Sequence, residues 1–212
     1  MIFPRLQAIL DVDVATRAGW AAHDLLVAFL DGGATWIQVR AKQLPSNALL
    51  ELCDDAVKAA AGYGASVIVN DRADLAALSG AGGVHVGQDD LAPAAARALV
   101  GPSAVVGYST HTVEQVRKAA DEPVSYIAVG PVFGTRSKDT GYEAVGLDLV
   151  AAASREARGI QVVAIGGITL DNTASVIGAG AASVAVISDL LVTGDPRERI
   201  GAYLQMFSRY RV

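Results

Sequence analysis

Cationic and amide side chains alternate along an otherwise apolar stretch, IQVRAK (37–42), and they need a chemical reason. Gln38, Arg40 and Lys42 occupy every second position, so on a β-strand all three face the same side of the sheet. Because two cations and an amide are costly in a core, we expect them to line a pocket. Guanidinium and ammonium groups together suit a polyanionic phosphate ligand. For a strand taken alone, a solvated edge or structural salt bridges would explain the same pattern.

Two carboxylates follow neighbouring strand-like runs. Asp71 comes directly after SVIVN (66–70), and Asp90 comes shortly after GVHV (83–86). Each acid also precedes a helical pattern, so each alone could be a helix N-cap. Beside the cations, the pair is typical of a magnesium site, because Mg²⁺ binds through one or two carboxylates plus phosphate oxygens of the substrate. His85, inside the second run, is expected to have a packing role.

A pair of glycines and a serine form the third signal. Gly166 and Gly167 lie in AIGGI, and Ser188 lies in VAVISDL. The glycines allow close approach of the backbone to an anion, and Ser188 can begin a short helix whose N-terminus faces that anion. A tight turn without chemical function is the alternative. With the first two signals, this predicts a diphosphate and a separate monophosphate in one pocket.

The elements that must position these residues alternate regularly along the chain. The strand candidates are 6–10, 36–40, 66–70, 83–86, 104–108, 126–130, 161–166 and 183–187. The helical patterns are 20–31, 46–64, 73–79, 91–99, 110–121, 146–157, 171–179 and 194–207. This order predicts a single (β/α)8 TIM-barrel domain over residues 1–212, and the alternative is a doubly wound open sheet, which usually has fewer strands. Ser46 and Asp195 are predicted helix N-caps.

Composition limits the class of protein. The chain has 212 residues, 52% of them hydrophobic, and a net charge of −5, which argues against a nucleic-acid-binding surface. Its one cysteine, Cys53, lies in a helical pattern and excludes an intrachain disulfide, in keeping with a reducing compartment. We see no secretory signal and no apolar run near the ~18 residues of a membrane span. We therefore expect a cytoplasmic protein that acts on small phosphorylated molecules, with its oligomeric state, a homo-oligomer included, left open.

In a TIM barrel the working face lies at the carboxyl ends of the strands, and polar residues follow strand after strand here. Asn70 ends the third strand candidate, and Ser109 follows the fifth. The loop after the sixth contains Thr135, Ser137 and Lys138, and Lys138 would be a third cation for the polyanion. The pattern predicts one pocket at this face.

Taken in order, seven segments resemble the motifs of the thiamine phosphate synthase family: QVRAK, VNDR, GVHVGQDD, GYSTH, GPVFGTRSK, VAIGGI and VAVIS. The resemblance covers nearly the whole chain. It implies a transferase that joins hydroxymethylpyrimidine diphosphate to thiazole phosphate with Mg²⁺, releasing pyrophosphate. In that family the bond to pyrophosphate breaks first, and the thiazole nitrogen then attacks the resulting cation.

The same resemblance implies roles for individual residues. The diphosphate would be held by Arg40, Lys42, Asn70, Ser109 and Lys138, with Arg40, Lys42, Ser109 and Lys138 as the catalytic set. The other assignments are Gln38 near the pyrimidine, Asp71 and Asp90 for Mg²⁺, and Thr135, Ser137, Gly167, Ile187 and Ser188 for the thiazole phosphate. The loop 133–142 is expected to close over the substrates.

The sequence also leaves alternatives to this function. A thiazole tautomerase of the same superfamily could use His111 as acid or base, but that family carries histidine where this chain has Pro131. A non-catalytic barrel that binds a phosphorylated ligand is the third reading. The first strand, LQAILD, departs from the synthase family, which commonly has a tyrosine near its start. The resemblance therefore leaves one wall of the pyrimidine pocket unassigned.

Overall fold

The structure, a computed structural model, describes residues 3–134 and 143–209. Eight parallel strands form a closed barrel in chain order, with β1 paired to β8 as well as to β2. They are β1 Leu6–Asp11, β2 Trp36–Arg40, β3 Ser66–Asn70, β4 Gly83–Val86, β5 Val105–Thr110, β6 Tyr126–Val129, β7 Gln161–Ile165 and β8 Ser183–Val186. The closing β1–β8 pair confirms the predicted (β/α)8 barrel and excludes the open sheet.

The helices surround the barrel. They are α1 Val12–Arg17, α2 Ala22–Asp31, α3 Ser46–Ala61, α4 Ala73–Leu78, α5 Pro93–Val100, α6 Val113–Ala119, α7 Gly146–Glu156, α8 Leu170–Gly178 and α9 Pro196–Ser208, with a 3-10 helix at Ser188–Leu191. The short helix α1 is an addition to the eight helices predicted. It forms because Asp11, at the end of β1, accepts a hydrogen bond from the backbone N–H of Val14 as its N-cap.

Two predicted helix caps have different outcomes. Asp195 caps α9 by accepting hydrogen bonds from the N–H groups of Arg197 and Glu198, as predicted. The prediction for Ser46 is wrong, because Ser46 is the first residue of α3 and its hydroxyl accepts a hydrogen bond from Arg72 instead. No helix in the described part of the chain is long and apolar enough to span a membrane.

The barrel is closed by aromatic packing at the amino-terminal end of its strands. The rings of Phe3 and Trp36 stack with their centroids 4.9 Å apart, and the ring of Tyr126 meets that of Trp36 edge-on at 5.1 Å. Trp36 and Tyr126 are the first residues of β2 and β6, and all three side chains are buried. This apolar layer fills the lower barrel, so polar side chains gather nearer the carboxyl ends of the strands.

Candidate functional site

A pocket lies at the carboxyl ends of the strands, and every strand contributes to its wall. Seven of the residues predicted from the sequence line it: Gln38, Arg40, Asn70, Ser109, Gly167, Ile187 and Ser188. The predicted residues Thr135, Ser137 and Lys138 lie outside the described residues, as does most of the loop 133–142.

Arg40 lines the pocket as predicted, but it is already paired. Its Nη1 donates to Oδ2 of Asp11, which faces it across the β1–β2 register. The Asp11 side chain is only 1% exposed, and the buried Nε of Arg40 has no hydrogen-bond partner among the described residues. The guanidinium therefore has a buried donor to spare beside the pocket, and a ligand oxygen could satisfy it. Asp11 was missed by the sequence reasoning.

Lys42, Asp71 and Asp90 form a second group at the rim, just outside the pocket wall. Nζ of Lys42 lies 2.6 Å from Oδ2 of Asp71. Oδ2 of Asp90 accepts a hydrogen bond of 2.7 Å from the N–H of Gly87. Partial burial of its carboxylate raises the pKa of Asp90, and the neighbouring carboxylate of Asp71 raises it further. The two predicted metal ligands are thus neighbours.

Neither acid acts as a helix cap, which removes the alternative explanation for both. The residues at the cap positions of α4 and α5 are Arg72 and Ala92, and neither helix has a side-chain cap. Asp71 instead has a positive φ of 64°, a conformation uncommon for a residue other than glycine. Such a backbone at the end of a strand marks a position held by its surroundings, and often a functional one.

The donor set at the rim fits a magnesium ion held partly by its substrate. Two neighbouring carboxylates, one of them with a raised pKa, leave negative charge that a cation would relieve. The described residues contain no group of three or more His, Cys, Asp or Glu side chains that could hold a metal by itself. Mg²⁺ bound through Asp71 and Asp90 would therefore need oxygens from water and a phosphorylated ligand, as this ion commonly does.

The glycine pair lies on the opposite wall, and its packing explains why both residues are glycines. Both have positive φ, 96° for Gly166 and 63° for Gly167. A Cβ on Gly166 would lie 2.5 Å from Pro131, and one on Gly167 would lie 2.7 Å from the Cβ of Phe133. The turn after β7 therefore fits directly beneath the segment that follows β6. Close packing alone accounts for the glycines, whether or not their backbone binds an anion.

Ser188 begins a 3-10 helix after β8, as predicted, and the next residue anchors that helix. Asp189 is buried and accepts hydrogen bonds from two other elements, α8 and α9. Its donors are the guanidinium of Arg199 (2.8–3.1 Å), the hydroxyl of Tyr203 (2.6 Å) and the N–H of Leu170 (3.1 Å). We call these four residues the Asp189 cluster. It fixes the turn after β8 to the start of α8 and to α9, and the sequence reasoning missed it.

His85 is not merely a packed histidine. Its Nδ1 lies 2.8 Å from the hydroxyl of Tyr126, and its Nε2 lies 2.8 Å from Oγ of Ser109. The same phenol accepts from Gln7, whose amide oxygen accepts from Gln38. These five residues form a continuous line of hydrogen bonds across the barrel, which we call the interior chain. Gln7 could have been noticed from the sequence, because it shares the inward face of β1 with Ile9 and Asp11.

The chain is similar to known proteins over nearly its whole length. The family model described as thiamine monophosphate synthase matches residues 13–190. The chain belongs to the thiamine monophosphate synthase family. It is 47% identical to the thiamine-phosphate synthase of Koribacter versatilis, over 96% of this chain and 95% of that protein. It is 42% identical to that of Roseiflexus castenholzii, over 92% of this chain and 86% of that protein.

The fold agrees with a solved structure of the thiamine monophosphate synthase family. Thiamine phosphate pyrophosphorylase from Pyrococcus furiosus superposes with a TM-score of 0.87 at 28% identity, covering 97% of this chain and 96% of that one. As a member of this family the chain is an enzyme of the transferase class.

Proposed function

We propose that this chain is a thiamine-phosphate synthase that joins hydroxymethylpyrimidine diphosphate to thiazole phosphate and releases pyrophosphate. The observation that carries the proposal is the division of the site into two parts. Arg40, Lys42 and the acidic pair Asp71 and Asp90 lie on the β2–β4 side. The glycine turn after β7 and the 3-10 helix after β8 form the other side.

The first part suits a leaving diphosphate. Arg40 and Lys42 would bind its oxygens, with Ser109 and Asn70 as further polar contacts from the pocket wall. Mg²⁺ held by Asp71 and Asp90 would neutralise charge that develops on the departing diphosphate. Preorganised contacts of this kind are typically worth ~3 kcal/mol each in the transition state, or about a hundredfold in rate. By the family resemblance, Lys138 would add a third cation.

The second part suits the phosphate of the other substrate. Gly167, Ile187 and Ser188 line one stretch of the wall, and Thr135 and Ser137 would join them by the family resemblance. The thiazole nitrogen has its own lone pair, so attack on the pyrimidine cation needs no protein base. That chemistry accords with a pocket in which binding and orientation are the main tasks of the side chains.

One assay tests this function and separates its alternatives. The protein is incubated with both substrates and Mg²⁺, and thiamine phosphate and pyrophosphate are measured. Rearrangement of the thiazole substrate without the pyrimidine diphosphate would indicate a tautomerase. Saturable binding of thiazole phosphate without turnover would indicate a binding protein.

A variant with Asp71→Asn and Asp90→Asn tests the metal site. Asparagine is preferred to alanine because it tolerates the positive φ at position 71 and keeps the side-chain shape. We expect this variant to fold and to lose magnesium-dependent release of pyrophosphate. A thermal unfolding curve serves as the control for folding, and full activity in a folded double variant would exclude these two residues as metal ligands.

A further inference from the structure

The interior chain is almost completely shielded from water, and its geometry is continuous. Nε2 of Gln38 lies 3.3 Å from Oε1 of Gln7, whose Nε2 lies 3.2 Å from the Tyr126 hydroxyl. The phenol then meets His85, and His85 meets Ser109, at 2.8 Å each. None of the five residues is more than 9% exposed. In such surroundings each donor needs an acceptor, so the orientation of one member constrains the next.

Two directions satisfy every link of the interior chain and also give the phenol hydrogen of Tyr126 an acceptor within it. In the first, Gln38 donates to Gln7, Gln7 to the phenol oxygen, the phenol O–H to Nδ1 of His85, and Nε2–H to Ser109. In the second, every link is reversed. The two directions differ at the ends that face the ligand. The first leaves the amide oxygen of Gln38 as an acceptor and the hydroxyl hydrogen of Ser109 as a donor.

The surroundings favour the first direction. Burial raises the pKa of Tyr126, so the phenol keeps its proton, and the amide N–H groups of Gln7 and Gln38 that face its oxygen oppose that shift. A phenol that accepts from amide donors has its own hydrogen left for His85. Ser109 lines the same pocket as Arg40, where an anion would need donors.

We propose that the hydrogen bonds of the interior chain are donated in one direction, from Gln38 to Ser109. This direction fixes which end offers the ligand an acceptor and which end offers it a donor. Gln38 presents an acceptor, which suits an amino group on a heteroaromatic ring. Ser109 presents a donor, which suits the attached diphosphate. Gln7 is then a positioning residue for Gln38, on the strand where the family resemblance left the pocket wall unassigned. The ligand assignment rests on the proposed function, whereas the direction of the chain does not.

The direction can be read in the unmodified protein from its imidazole nitrogens. The sequence has 3 histidines, so a spectrum of protein labelled with ¹⁵N-histidine is simple to interpret. At mildly alkaline pH we expect His85 to carry its proton on Nε2. His111 should be the opposite tautomer, because its Nδ1 lies 2.5 Å from the carbonyl of Gly130, which can only accept. Spectra of His23→Gln and His111→Gln assign the signals, and a proton on Nδ1 of His85 would overturn the proposal.

Two variants test the two ends of the interior chain separately. Gln7→Met removes the partner of Gln38 and leaves the link from Tyr126 to His85, so the KM for pyrimidine diphosphate should rise about tenfold. The KM for thiazole phosphate and the binding of inorganic pyrophosphate with Mg²⁺ should be unchanged. Tyr126→Phe removes the donor to His85, so the His85 tautomer should become mixed and pyrophosphate binding should weaken about tenfold.

A matched control separates positioning from general loss of packing. Ile68→Val removes one buried methyl group from the hydrophobic cluster that also contains Tyr126, and it changes no hydrogen bond of the interior chain. It should leave both KM values and the histidine spectrum unchanged. If Gln7→Met raised both KM values equally, or matched Ile68→Val, Gln7 would be a packing residue only. If the protein made no thiamine phosphate but showed the expected His85 tautomer, the proposed function would be refuted. The inferred direction of the interior chain would still hold.

Discussion

Substitution of Asp189 by asparagine should weaken the site of one substrate while sparing the site of the other. Asp189 follows Ser188 directly and accepts hydrogen bonds from α9 and from the start of α8. Asparagine keeps the shape of the side chain but removes the negative charge and one acceptor oxygen. The guanidinium of Arg199, only 17% exposed, then loses its carboxylate.

The cost can be worked out from this geometry. Removal of one partner from a buried ion pair typically costs about 3–5 kcal/mol. The amide oxygen of asparagine still accepts one or two hydrogen bonds, so we expect the lower end, about 3 kcal/mol. For a chain of this length, that corresponds to a drop in Tm of roughly 6–12 °C. The turn that carries Ser188 would also be attached less firmly to α9.

Thermal unfolding and steady-state kinetics measure the two consequences separately. The KM for thiazole phosphate should rise about tenfold, equivalent to about 1.4 kcal/mol of lost positioning. The KM for pyrimidine diphosphate should remain unchanged, since Arg40 and Lys42 lie on the other side of the pocket. Both measurements use the full-length protein below the lowered Tm.

Two further variants serve as controls. Tyr203→Phe removes a single donor to Asp189 and should cost about 1 kcal/mol without a change in either KM. Val116→Ala, a buried truncation in α6, should lower the Tm without selectivity between substrates. An Asp189→Asn protein with an unchanged Tm, or with equal rises in both KM values, would refute the role given to the Asp189 cluster.

Three other substitutions test separate parts of the site. Burial and the neighbouring carboxylate of Asp71 raise the pKa of Asp90, so ionised Asp90 destabilises the folded protein above that pKa. Asp90→Asn should therefore raise the Tm at neutral pH without Mg²⁺. The magnesium affinity of the unmodified protein should fall as acidification protonates Asp90. Gly167→Ala should cost about 2–4 kcal/mol from its positive φ and its steric overlap, measured by denaturant unfolding. Gly134→Ala should be tolerated, because no atom of the described residues lies within 4 Å of an added Cβ. Asp11→Asn keeps the cap of α1 but removes the carboxylate that pairs with the buried Arg40, so the Tm should fall. Pyrophosphate should then raise the Tm of this variant by more than it raises the Tm of the unmodified protein. An unchanged stability of Gly167→Ala or an unchanged Tm of Asp11→Asn would contradict the role given to that residue. A lower Tm of Asp90→Asn would contradict the role given to Asp90.

The barrel could be predicted from the sequence because strands buried on both faces form short runs of Val and Ile. The predicted carboxyl-terminal ends of β1 and β5 are too early, because both strands continue into polar residues. β5 extends to Thr110, whose hydroxyl donates to the carbonyl of Ala128, and β1 extends to Asp11, which pairs with Arg40. A hydropathy pattern predicts the end of a strand at such residues, whereas the pairing between strands continues through them. The polar ends of strands are the places where a pocket begins.

The candidate site was predictable in its residue types and not in its pairings. Periodicity indicated that Gln38 and Arg40 face one side, but it could not reveal which acid meets which cation. The partners come from other strands, as with Gln7 and Tyr126, which are 119 residues apart in the chain. Long-range register determines such contacts, and a single sequence does not encode it in any local pattern.

The pairings change what the mouth of the barrel offers to a diphosphate. Among the described residues, the cations Arg40 and Lys42 are each engaged by a carboxylate, and Asp90 adds a third acid beside Asp71. Two cations facing three carboxylates would attract a free diphosphate poorly. A divalent cation that arrives with the diphosphate reverses this balance, because it occupies the acids and releases Lys42 toward the phosphate oxygens. Calorimetry should therefore find much tighter binding of pyrophosphate with Mg²⁺ than without it, and equal affinities would mean that the paired cations alone bind the anion.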